Sequence, residues 1–223
     1  ALDSLFGPEC GPRKVASADL TDPNMRLDAP PSRLEPFAED DAHDRRETAG
    51  SCRNGHSDHF VQFYEDNDAL IRSLGPYLGG GLGAGEAVLV VATPDHRRAV
   101  AAQLNKQGLD FRLLQARGQY VEADAAETLD QFMVNGMPER GLFEEVVGKL
   151  VAGLEKSWGS VRVFGEMVVL LCERNSPAAA ICLEDLWNEL GKKQKFSLFC
   201  GYPLKTFATD ATQADFKHIC NAH

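Results

Sequence analysis

Residues 87–92 read Ala-Val-Leu-Val-Val-Ala, a run with no polar position in it. A strand with one face in water alternates apolar and polar side chains. A strand with no alternation is covered on both faces, which is the situation of a parallel sheet between two layers of helices. The run therefore asks for amphipathic helices on either side of it in the chain, and for further strands to pair with it.

Those elements follow from His59 onward. His59-Phe-Val-Gln-Phe-Tyr is β-rich and ends in the turn-prone Glu65-Asp-Asn-Asp. Asp68 is the expected N-cap of a helix through about Leu78, with Leu70, Leu74, Tyr77 and Leu78 on one face. The Gly-rich residues 79–85 read as a helix end and turn before the strand Glu86–Ala92. Thr93-Pro94-Asp95 opens a helix with proline at its first position, and Gly108 stops it. Tyr120–Ala123 is a short strand, and Ala125–Asn135 is expected to be a helix. Glu139–Trp158 is expected to be one long amphipathic helix. Val161–Phe164 is a strand that runs into Gly165-Glu-Met-Val, Pro177–Gly191 a helix, Phe196–Tyr202 a strand, and Asp215–Ala222 a closing helical segment. Strands separated by helices give an α/β domain of three layers, with a mainly parallel sheet, right-handed crossovers and helices on both faces.

The first 55 residues have another texture. Six of the eleven prolines precede Phe37, and Phe6 and Phe37 are the only aromatics there. The stretch Glu39-Asp-Asp-Ala-His-Asp-Arg-Arg-Glu is solvated charge with little to bury against its ordering entropy. Residues 1–55 are read as a flexible or extended arm, 56–208 as the domain, and 209–223 as a C-terminal helical extension.

Charge and cysteine usage narrow the setting. A formal charge of −10 without a basic cluster argues against nucleic acid as a direct partner. The apolar runs are too short to cross a bilayer, and the opening Ala-Leu-Asp-Ser lacks the basic-then-apolar order of a secretory leader. The six cysteines are irregularly spaced and read as reduced thiols, so a cytoplasmic location is expected.

No Gly-x-Ser-x-Gly, His-Glu-x-x-His, Cys-x-x-Cys or Gly-x4-Gly-Lys-[Ser/Thr] motif occurs. Gly79-Gly-Gly-Leu-Gly-Ala-Gly follows a helix and precedes a strand, whereas a dinucleotide fingerprint follows a strand and opens a helix. Cys52-x3-His56-x2-His59 and His218-x-Cys220-x2-His223 contain metal-ligand types but no recognised zinc spacing. Neither a metal nor a cofactor is expected from these patterns.

Several segments carry a resemblance: His59-Phe-Val-Gln-Phe-Tyr-Glu-Asp, Gly81–Pro94, Gly118–Leu129, Phe164-Gly-Glu-Met-Val, Leu183-Glu-Asp-Leu-Trp-Asn-Glu-Leu and Phe196-Ser-Leu-Phe-Cys-Gly-Tyr-Pro. In this order and spacing they resemble the MEDS domain, a sensory domain of methanogen and methylotroph regulators. The resemblance covers roughly residues 56–208. It implies ligand sensing in a signalling protein, beside a histidine-kinase or transcription-regulating output. That family is in turn similar to RecA- and KaiC-type ATPases, in which a phosphate loop follows the first strand. Here that place holds Tyr64-Glu-Asp-Asn-Asp, whose acids would repel a triphosphate. ATPase activity is therefore not expected.

The candidate ligand site is placed at the carboxyl ends of the strands, where open α/β sheets bind: Tyr64, Glu65, Phe164, Glu166 and Cys200. Four of them have a plainer reading. Glu166 could be an acid at a helix N-terminus, Tyr64 and Glu65 could belong to a turn, and Cys200 could be a small buried hydrophobe. The expected function is a non-catalytic sensor that binds an unidentified small molecule and informs an effector or kinase. Its terminal helix is expected to pack on the domain, on a partner or on a second copy of the chain (a homodimer), and to transmit the signal. A protein-interaction module without a small ligand and a degenerate nucleotide-binding protein are the alternatives.

Overall fold

The computed structural model describes residues 58–207, so the expected N-terminal arm and the C-terminal helical extension lie outside the described residues. The all-apolar run becomes β2 (Ala87–Ala92), buried at every position. Before it come β1 (His59–Tyr64) and α1 (Asn67–Gly83). After it come α2 (Pro94–Lys106), α3 (Phe111–Ala116), β3 (Tyr120–Asp124), α4 (Ala125–Asp130) and the small strands β4 (Met133–Val134) and β5 (Met137–Pro138). A helical stretch follows, made of α5 (Arg140–Phe143), a π-turn (Glu144–Gly148) and α6 (Lys149–Trp158). The described part closes with β6 (Val161–Gly165), α7 (Met167–Glu173), α8 (Pro177–Gly191), β7 (Phe196–Pro203) and a 3-10 turn (Leu204–Phe207).

Five strands pair in the order β1-β7-β6-β2-β3, every pair parallel. Alternate residues of β2 serve two separate cores. Ala87, Leu89 and Val91 face the layer that contains Phe132, Phe143, Val151 and Trp187. Val88, Val90 and Ala92 face Leu70, Leu74, Leu78, Val100 and Leu104 of α1 and α2. This is the three-layer α/β arrangement expected of a strand that cannot face water on either side.

Three expectations change in detail. The cap of α1 is Asp66, not Asp68: its carboxylate accepts from Ala69 N at 2.7 Å. The expected helix over 125–135 stops at Asp130, because Asn135 and Gly136 have φ of 50° and 80° and turn a hairpin between β4 and β5. Two successive positive φ values are what a type I′ hairpin turn needs, and Asn-Gly is its preferred pair. The helix over 139–158 holds in outline but passes through the π-turn, where Gln194 Nε2 donates to the Gly148 carbonyl at 3.0 Å.

The glycine-rich stretch is helical as far as Gly83, and packing explains its composition. A Cβ on Gly81 would lie 2.6 Å from Arg162 Cδ. Arg162 rises from β6 to pair with Glu86, to donate to the Tyr77 carbonyl at 2.7 Å and to cover the Tyr77 ring. A Cβ on Gly75 would lie 2.9 Å from Gln103 Cγ of α2. These glycines let α1 lie close over its neighbours. Gly83, by contrast, has open space around it. Gly81→Val is expected to lower stability by about 1–3 kcal/mol through overpacking. Gly83→Ala is expected to be neutral or to raise stability by up to about 1 kcal/mol. Denaturant titration of the two variants measures both.

Candidate functional site

β2 leads through α2 and α3 outward to β3, whereas β6 leads through α7 and α8 in the other direction to β7. Adjacent parallel strands whose connections diverge leave a crevice at their carboxyl ends. Glu166 stands there, the residue between β6 and α7. Its backbone N–H donates to the Val91 carbonyl at 2.9 Å and so extends the β6–β2 ladder by one residue. Its side chain then reaches across to the start of α2. Oε2 accepts from Thr93 N at 2.8 Å and from Thr93 Oγ1 at 3.0 Å, while Oε1 accepts from His96 Nδ1 at 2.6 Å.

These bonds override local preferences. Thr93 is the N-cap of α2, yet its hydroxyl makes no capping bond because it is turned to Glu166. His96 sits in the first turn of α2, where the helix dipole disfavours a cation. The Glu166 carboxylate reverses that preference. Its hydrogen bond is the largest influence on His96 and, with the charges of Glu166 and Asp95, outweighs burial and raises the imidazole pKa above its ordinary value. Burial alone would raise the Glu166 pKa. The His96 bond and the Thr93 amide and hydroxyl together exceed it and hold the carboxyl below its ordinary value. The pair is a buried contact in which each partner favours the charged form of the other. His96 Nε2, on the far side of the ring, is buried without a hydrogen-bond partner among the described residues.

A second polar cluster lies on the other face of the sheet, between β1, β7 and α8. His59 Nδ1 donates to Asn188 Oδ1 at 3.0 Å, and its Nε2 lies 3.3 Å from Cys200 Sγ and 3.5 Å from Glu184 Oε2. The Tyr202 hydroxyl donates to the other carboxylate oxygen of Glu184. Burial, then the Glu184 charge, pushes both the Cys200 thiol and the Tyr202 phenol well up. The donor types of His59, Glu184 and Cys200 are those of metal ligands, and their atoms lie within 4.8 Å of one another.

The five residues expected at the site divide between these places. Tyr64 and Phe164 are buried on the α1–α2 side and meet over Gly201, where a Cβ would lie 3.4 Å from Tyr64 and 3.7 Å from Phe164. Burial, and after it the nearby Glu166 charge, raises the Tyr64 phenol pKa. Glu65 is exposed beside Tyr64. Cys200 is separated from Tyr64 and Phe164 by the sheet and belongs to the His59 cluster. Thr93 and His96 were not singled out from the sequence, although a histidine in the first turn of a helix after a buried strand signals a partner acid. Glu184 and Asn188 are four apart on the face of α8 that carries Leu183 and Trp187, and polar groups in such a stripe are a similar signal. The cysteines and histidines at 52, 56, 218, 220 and 223 lie outside the described residues.

Residues 58–223 match the family model of MEDS, described as the methanogen/methylotroph, DcmR sensory domain. The chain belongs to the MEDS family. A search of curated proteins found no match to it. Membership of MEDS makes this a sensory domain, and no helix among the described residues is long and apolar enough to cross a membrane. Within that family frame, the Glu166 clasp and the His59 cluster are two buried polar centres that the sheet of this MEDS chain holds.

Two outcomes follow from the clasp. Glu166→Ala leaves a buried His96 and two Thr93 donors without their acceptor, and is expected to cost about 3 kcal/mol. Glu166→Gln keeps an acceptor for Thr93 and should lose less; denaturant unfolding ranks the two. The clasp is also pH-dependent. Stability from the raised His96 pKa is full below about pH 6.5, the ordinary histidine value, and is lost as pH rises through the folded pKa above it. Stability from the lowered Glu166 pKa is present above about pH 4.3 and is lost as pH falls through the folded value. The thermal midpoint of the unaltered chain should therefore exceed that of His96→Gln most between about pH 4.3 and 6.5, with the gap narrowing on either side.

Proposed function

We propose that this MEDS chain is a non-catalytic sensor that takes up a small polar molecule in the crevice beyond β2 and β6. It then passes the change to an effector domain or a separate partner. The observation that carries this reading is the buried His96 Nε2, which lacks a partner among the described residues at a point where α/β sheets bind ligands. Leaving a buried donor unsatisfied costs about 1–3 kcal/mol, and an acceptor on a ligand would recover it. In this reading Tyr64, close enough to Glu166 to feel its charge, forms the lining with its neighbour Phe164 and with Glu65, whereas Cys200 lies in the core on the other face of the sheet. Pockets of mostly apolar lining with a few convergent polar groups suit small ligands.

Such a ligand competes with or completes the bonds by which Glu166 ties β6 to the start of α2. It shifts the equilibrium only as far as its affinities for the two arrangements differ. The position of α2 is then the quantity sensed. Nucleotide hydrolysis does not fit the same fold positions. Where a phosphate loop would follow β1, the first turn of α1 is already capped by the Asp66 carboxylate, with Glu65 and Asp68 on either side. Phosphoryl transfer needs backbone donors and a lysine at that place.

Native mass spectrometry of the full chain, with a screen of small polar compounds as the second source of a ligand, tests the reading. The ligand found should bind at least tenfold more weakly to His96→Gln, a loss of about 1.4 kcal/mol, and equally well to Cys182→Ser. Equal affinity for the unaltered chain, His96→Gln and Glu166→Gln would remove the ligand from this crevice. Magnesium-dependent ATP turnover should stay at background, and turnover abolished by Glu166→Gln would overturn the non-catalytic assignment.

A further inference from the structure

We propose that His59, Glu184 and Cys200 form a binding site for a divalent transition-metal ion of the zinc type, separate from the crevice at the strand ends. The three donors come from β1, α8 and β7, and they converge with their coordinating atoms: His59 Nε2 is 3.3 Å from Cys200 Sγ and 3.5 Å from Glu184 Oε2. Tetrahedral zinc, at its usual bond lengths, sets N···O and N···S edges of about 3.4–3.6 Å. The two separations at His59 Nε2 are within a few tenths of an ångström of that size, and all three donor atoms lie within 4.8 Å of one another.

The surrounding groups point the same way. A metal-bound histidine hands its other ring nitrogen to a hydrogen-bond acceptor, and a ligating carboxylate is itself hydrogen-bonded. Here Asn188 Oδ1 accepts from His59 Nδ1, and Tyr202 donates to the second oxygen of Glu184. These contacts turn Nε2 and Oε2 toward each other and toward the thiol. With Nδ1 acting as donor, a neutral ring would face the carboxylate oxygen with a lone pair. A cation at that point would take one donor atom each of nitrogen, oxygen and sulfur.

Charge balance adds to the case. A carboxylate and a thiolate against a doubly charged ion give a neutral set, which suits a place where Glu184 is only 2% exposed. The Cys200 proton leaves to solvent when the thiolate binds the ion, so uptake releases a proton. Imidazole and thiolate select zinc, cobalt, nickel or copper over magnesium and calcium. Three protein donors leave one tetrahedral position for water or a small ligand. Sequence spacing could not display this site, because its members are 125 and 16 positions apart (184 − 59 and 200 − 184).

The test uses the untagged full chain, stripped with a chelator and titrated with Co2+ as the spectroscopic probe. One equivalent should bind, with the visible bands of four-coordinate cobalt and a near-ultraviolet thiolate-to-cobalt band, and Zn2+ should displace it. Cys200→Ser should abolish the thiolate band, and Asn188→Ala should weaken Co2+ binding about 10–100-fold. Replacing Cys52, His56, His218, Cys220 and His223, or Cys182 alone, should leave the spectrum unchanged. Failure of the folded, stripped chain to take up Co2+ overturns the proposal. So does a thiolate band that survives in Cys200→Ser or vanishes with the terminal replacements. If Cys200→Ser does not fold, Asn188→Ala decides: unchanged affinity overturns the site.

Discussion

The double burial of the central strands is the constraint on which the rest of the structure depends. β2 offers no polar side chain to either layer, and β6 and β7 are nearly as apolar. Helices must therefore cover both faces, and apart from Arg162 near the start of β6 the polar centres approach the sheet past the ends of its strands or beside its edge strand. Both polar centres obey this. Glu166 lies one residue beyond β6, and His59 belongs to edge strand β1. A buried charge at either place must bring its own partners, because the apolar layers provide none.

The two centres meet that demand differently. At the strand ends, one carboxylate collects an amide, a hydroxyl and an imidazole from the start of a single helix. The result couples a strand to a helix that leaves in another direction, so a change at Glu166 is a change in how α2 is held. Beside β1, a carboxylate, a thiol and an imidazole come from three elements and face one another. Their outer atoms are fixed by Asn188 and Tyr202. The first arrangement ties the end of a strand to the start of one helix. The second suits a rigid site, because its parts belong to packed elements of the sheet and the helix that covers it.

Much of the architecture was legible in the sequence. The unbroken run at β2 demanded a covered parallel sheet, and Pro177–Gly191 and Phe196–Tyr202 were delimited by their turn residues and apolar pattern. The misreadings were local. Asp66 and Asp68 are both good caps, and only the helical phase of Leu70 and Leu74 against the sheet decides between them. Asn135-Gly136 carried a hairpin signal that the apolar pattern of the preceding residues obscured. The glycines of α1 read as a turn because intrinsic propensity disfavours them in a helix. The close passage of Arg162 and Gln103 beside that helix makes glycine necessary at Gly81 and Gly75.

For the site, the sequence by itself determined that a carboxylate would stand at the end of β6, because the apolar strand and the residue after it are contiguous. It also determined that no phosphate loop could follow β1. What the carboxylate binds, and that Cys200 sits with His59 instead of with Tyr64 and Phe164, only the tertiary structure decided. The physical reason is the parity of a strand: side chains one position apart face opposite layers. A one-residue difference in pairing register thus assigns Cys200 to one core or the other, and that register is set by how the strands pair across the sheet.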